Sequence, residues 1–155
     1  FDWGNMEDPK TWVDYYTQRT SIILRIRYNH IQLADALRAE GKIEKSNAVL
    51  DRIVEIMPGS QFPMDVFTIG IAESYFRNGE SEKAISLIKT YLEVVYDDLA
   101  YFLDIQKKYG NAMNAEAQQT ATVLNEIMRL VEEFEQTELS QEIESRVNLL
   151  VKSGS

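Results

Sequence analysis

The side chains able to do chemistry are few and scattered. His30 is the only histidine in 155 residues, and cysteine is absent. One imidazole cannot build a metal site or a nucleophile relay by itself, and without a thiol there is no disulfide, thiolate nucleophile or thiolate ligand. The adjacent acids Glu7-Asp8, Asp97-Asp98 and Glu132-Glu133 point in different directions on a helix, so each pair reads as a solvated face or a cap. No glycine-rich phosphate loop, zinc-protease helix motif, calcium loop or strand-elbow serine occurs. Acids outnumber bases by 25 to 16, for a net charge of −9 and a pI near 4.7. That balance opposes binding to nucleic-acid phosphates or an anionic membrane surface. The expectation is no catalytic site, no cofactor, no metal and no nucleic-acid partner.

The information lies in the elements. Leu33-Ala34, Leu37, Gly41, Ser46, Leu50, Ile53 and Pro58 form a series that returns as Ile71-Ala72, Tyr75, Gly79, Ala84, Ile88 and Tyr91. A large residue beside a small one lets a neighbouring helix approach over the small one, and Leu37 or Tyr75 fills the space one turn on. Gly41 and Gly79 suit the positive φ at which a helix ends. Ser46 and Ala84 are small where a partner helix must cross. The copies lie 38 residues apart, with surplus residues in Gly59-Ser60-Gln61-Phe62-Pro63, a loop between pairs.

Taken in order, residues 1–20 form an aromatic lead-in. Asp8-Pro9 suits a helix start, residues 9–18 read as a short helix or a turn, and Trp12, Tyr15 and Tyr16 are expected to cover an end of the array. Apolar residues at intervals of three and four predict helices over 20–39 and 43–57, the second burying Val49, Leu50, Ile53, Val54 and Met57. Pro63 and Asp65 start a helix over 64–77. The next runs over 82–108, about 40 Å at 1.5 Å per residue, so its far half must pack on something beyond its own partner. The C-terminal segment is the candidate. Gly110 breaks the chain there; residues 115–134 follow with Val123, Leu124, Ile127, Leu130, Val131 and Phe134 on one side. A last helix reaches Lys152 through Leu139, Ile143, Val147, Leu149 and Leu150. The expected fold is all-α, about three antiparallel helix pairs in one domain over 21–155, with repeats near 27–60, 65–108 and 115–152.

These intervals resemble the tetratricopeptide repeat, a helical-repeat solenoid. Its tryptophan is replaced by His30 and Thr68, which makes His30 a packing histidine, and its closing proline survives only as Pro58, with Tyr96 at the second place. The third pair lacks the signature residues, as a capping terminal repeat does. In such arrays the first helix of each pair lines the concave face. The resemblance places Tyr28, Ile31, Asp35, Arg38 and Ala39 there from the first copy, with Val66, Ile69, Glu73, Phe76 and Arg77 from the second. The Lys and Asn of a peptide-carboxylate clamp are absent from the corresponding Ile31-Asp35 and Ile69-Glu73. Tyr28 and Phe76 serve either as groove wall or as contacts to an adjacent helix.

A second resemblance covers nearly the whole chain. Trp3-Gly4-Asn5, Arg19, Arg27, Leu33 to Leu37, Val49 to Arg52, Pro58, Phe62 to Asp65, Ile71 to Tyr75, Gly79-Glu80 and Lys83-Ala84 resemble the C-terminal region of bacterial multi-pass membrane proteins of unknown function. The membrane part of those proteins is similar to protein O-mannosyltransferases. This resemblance implies a non-catalytic scaffolding domain on the periplasmic side of a glycosyltransferase-like parent, with any catalytic residues in the parent. Its partner would be that membrane part or another polypeptide. The start without Met and the Ser-Gly-Ser end fit a piece of a longer protein. The alternative is a free-standing soluble peptide-binding adaptor, cytoplasmic in the absence of such a parent. No apolar run here reaches ~18 residues, so the fragment itself is not expected to insert into a membrane.

Overall fold

The computed structural model describes residues 8, 10–12, 14, 21–110 and 113–154. Among them every regular element is helical: α1 Ser21–Ala39, α2 Ile43–Ile56, α3 Val66–Arg77, α4 Ser81–Tyr109, α5 Asn114–Glu133 and α6 Thr137–Gly154. The turn glycines behave as their chemistry requires. Gly41 and Gly79 end α1 and α3 at φ of +75° and +83°, a region that costs an L side chain about 1 kcal/mol or more. At α3 the Asp65 carboxylate accepts from Phe67 N while Thr68 Oγ accepts from Asp65 N, a reciprocal cap that satisfies donors the first turn leaves free.

The chain divides into two units, Phe1–Ala84 and Ile85–Ser155, with α4 running through the division. In the first unit α1 and α2 pack antiparallel across a three-residue turn. Ala34 is fully buried, and Ser46 Oγ donates to its carbonyl at 2.8 Å. A larger residue at 46 would separate the helices. Helix α3 lies beside this pair, where a β-carbon at Gly70 would come within 3.1 Å of Ile31 Cδ1. Leu50, Ile53, Ile56, Phe62, Ala72 and Tyr75 fill the core. Ile56 takes the place expected for Val54, which stands at the margin, 36% exposed. Leu33 also departs from expectation. Half of it is exposed, whereas Ile71 at the equivalent position is buried.

The surplus loop before α3 is built around a buried cation. Arg27 is 4% exposed; its guanidinium donates to the Asp65 carboxylate at 2.6 Å, the Pro63 carbonyl at 2.8 Å and the Phe62 carbonyl at 3.3 Å. Gln61, also buried, donates to the carbonyls of Asp8 and Thr11 at 2.7 and 2.8 Å. Asp8 makes a turn, accepting from Lys10 N and Thr11 N, and no helix forms at residues 10–12. The expected covering role of Trp12 is not met, since it stands 84% exposed. Tyr15 and Tyr16 lie outside the described residues.

In the second unit the buried residues of α4 end at Tyr96, and those of α5 begin at Thr120. Ile88, Leu92 and Val95 join Ile127, Leu130, Val131, Leu139 and Ile143 in the core. Helix α6 is tied to α4 by Lys89–Glu142 at 2.8 Å and by Arg146, which lies 5.3 Å from the Tyr96 ring centroid. The remainder of α4 is covered only in part. Phe102 and Leu103 are half-buried, Tyr101 and Tyr109 are exposed, and Gln106 bonds Asn114 at 3.0 Å across the turn. Leu149, expected on the buried stripe of α6, is 63% exposed.

Arg27→Met removes the cation and leaves one carboxylate and two carbonyls without their donor, so urea denaturation is expected to show a loss of about 3 kcal/mol or more. Arg27→Lys should recover only part, because an ammonium cannot reproduce the planar fork. A loss within 0.5 kcal/mol for Arg27→Met, typical of a surface site, would show that the loop does not depend on this contact.

Candidate functional site

The first helices of the two pairs, α1 and α3, lie side by side, and their shared face is the candidate binding surface. At one end the Tyr28 ring stands edge-on to Phe67 with centroids 6.1 Å apart, and beside it Val66 is 58% exposed. At the other end the charged residues pair along their own helices: Arg38 with Asp35 at 3.2 Å, and Arg77 with Glu73. Ser74 bridges the helices, its hydroxyl 3.0 Å from the Gly70 carbonyl and 3.4 Å from the Asp35 carboxylate. The expected positions therefore separate by accessibility. Tyr28, Asp35, Arg38, Ala39, Val66, Glu73 and Arg77 are wholly or partly open, while Ile31, Ile69 and Phe76 are buried.

His30 is half-buried on α1, and its Nδ1 lies 2.8 Å from the Ile26 carbonyl. A carbonyl only accepts, so Nδ1 carries the proton of this bond. Asp97 and Asp98 are exposed, as are Glu132 and Glu133. Among the described residues no group of three or more His, Cys, Asp or Glu could hold a metal. In the second unit a cavity of about 360 Å³ lies between the start of α6 and α4, lined by Ile85, Lys89, Thr137, Leu139 and Glu142.

A polar cluster that sequence reading missed joins α2 to α3 and the start of α4. Asp51 accepts from Tyr75 Oη at 2.8 Å and from Lys83 Nζ at 2.8 and 2.9 Å, with Nζ also 5.6 Å from the Tyr75 ring centroid. Asn78 donates to Ser46 Oγ and Asn47 Oδ1, and Asn47 donates to Glu80. Burial, then the hydrogen bond to Asp51, pushes the Tyr75 phenol well above its ordinary range. The bond to Asp51 also raises Lys83. Nothing local marks Asp51, because its partners lie 24 and 32 residues away.

No family model matches the chain, and neither does any curated protein or solved structure. The likeness to the C-terminal region of bacterial multi-pass membrane proteins is corrected accordingly: nothing matched links the chain to such a family. Repeated packing residues generate such a likeness without common descent, because any helix pair needs small residues at crossings and glycine at turns. The sugar-transferase association and the inner-membrane, periplasmic placement rested on that likeness and fall with it. Among the described residues no helix is long and apolar enough to cross a membrane.

The tyrosine and lysine shifts share a sign. A phenol whose folded pKa is raised stays neutral where the unfolded chain already ionises, and an ammonium whose folded pKa is raised keeps its charge where the unfolded chain loses it. Both contributions are present below about pH 10 and decline as pH rises above it. Stability is thus expected to fall through the alkaline range. Tyrosinate absorbance should show Tyr75 ionising only as the chain unfolds, and the decline should be shallower in Tyr75→Phe. An unchanged alkaline profile in that variant would remove Tyr75 as a source.

Proposed function

We propose that this chain is a non-catalytic protein-interaction module, an adaptor whose two N-terminal helix pairs are of tetratricopeptide type and hold a peptide along the α1 and α3 face. The support for the repeat type is positional. Ala34, Ala72 and Ala84 are fully buried, Ser46 nearly so, and Gly41 and Gly79 both take positive φ. The observation that carries the binding reading is the open strip from Tyr28 and Val66 to Arg38 and Arg77. An aromatic and an aliphatic side chain at one end supply apolar contact, and paired charges at the other exchange partners with a peptide at modest cost because they are partly exposed.

Selection of a displayed random-peptide library on the 155-residue chain tests this reading. Peptides enriched on the chain should lose at least tenfold in affinity for the double variant Tyr28→Ala with Arg38→Ala, measured by fluorescence anisotropy, and keep it for Leu149→Ala in the other unit. An absence of enriched peptides, or peptides indifferent to the double variant, would overturn it.

A further inference from the structure

The two N-terminal helix pairs share their intervals but not their surroundings. On α3, Thr68, Ile71, Ser74 and Tyr75 form one stripe, each between 3% and 5% exposed. The first pair covers it through the contacts of Ser74 to Asp35 and Tyr75 to Asp51. At the equivalent places on α1 stand His30, Leu33, Ala36 and Leu37. His30 and Leu37 are half-buried, Ala36 is exposed and Leu33 is 50% exposed. On α1, Leu33 and Ala36 thus stand open where Ile71 and Ser74, their counterparts on α3, are buried.

We propose that this face is an interface between two copies of the chain, with α1 packed against α1 in antiparallel orientation about Leu33. The stripe is self-complementary. Leu33 and Leu37 supply apolar surface, and Ala36 allows close approach of the two backbones. Charge selects the orientation. Arg25 and Glu40 are both exposed and lie at nearly equal distances on either side of Leu33. At about 100° per residue both also fall on the Ala36 side of Leu33. Antiparallel packing brings like flanks together, so Arg25 of each copy meets Glu40 of the other, twice by symmetry. A parallel pair forfeits both contacts. Glu40 now pairs with Lys42 at the surface, an exposed bond weak enough to give way. One helix face per copy is less than the ~800 Å² per partner of a standard interface, so the dimer is weak and reversible.

Sedimentation velocity of the full chain over rising concentration is expected to show a reversible shift from monomer toward dimer. Leu33→Lys should return it to monomer, and Leu149→Lys in the other unit should leave it unchanged. Glu40→Arg should weaken the dimer at least tenfold, and adding Arg25→Glu should restore it. Because Arg25 and Glu40 are exposed, this charge exchange remains a test even if Leu33→Lys fails to fold, which circular dichroism detects. A chain monomeric at every concentration, a dimer indifferent to Leu33→Lys, or a charge reversal that Arg25→Glu does not rescue would overturn the proposal.

Discussion

Arg27 is the contact on which the first unit depends. A guanidinium held out of water is strongly unfavourable unless a counter-charge and further acceptors surround it, and here Asp65 supplies the charge while Pro63 and Phe62 supply carbonyls. The arrangement serves two elements at once. It fixes the loop between the helix pairs, and Asp65, so held, is also the cap of α3. The start of α3 is therefore set from α1, and with it the face that both helices share. Gln61 extends the same loop to the carbonyls of Asp8 and Thr11.

Around this contact the unit combines apolar burial with polar registration. Apolar residues such as Leu50, Ile53 and Phe62 supply the area but little directional information. Direction comes from hydrogen bonds: Ser46 to the Ala34 carbonyl, Asn78 to Ser46 and Asn47, and Tyr75 to Asp51. Each joins different helices, and a slip of one turn would leave a donor or acceptor enclosed without its partner. In the second unit the ties between helices lie at its surface. Lys89 with Glu142 and Arg146 beside Tyr96 secure α6 to α4, all before the part-covered end of the long helix.

Much of the fold was legible because helices state their period and their stops. The bounds of α1 to α6 follow from apolar intervals and from Gly41, Gly79 and Gly110, all at positive φ. The face of a helix was less legible than its extent. Val54 and Leu149 fit an apolar period yet sit at its edge, since a stripe on a cylinder has margins that periodicity alone does not rank. For the candidate site, Tyr28, Asp35, Arg38, Glu73 and Arg77 emerge as wholly or partly open, whereas Ile31, Ile69 and Phe76 do not. Arg27 and Asp51 could not be read at all. Their roles come from partners dozens of residues away, and a surface Arg or Asp looks the same in sequence.

The 38 residues that separate Arg27 from Asp65 also bear on the order of events during synthesis. A ribosome adding roughly 5–20 residues per second takes about two to eight seconds to cover that distance. The rest of α1 and all of α2 are made within that interval, and until Asp65 follows them the guanidinium must remain hydrated. The nascent first pair therefore cannot dry the Arg27 end of α1 before its counter-ion is made. Its closure waits on the translation of the loop that follows it.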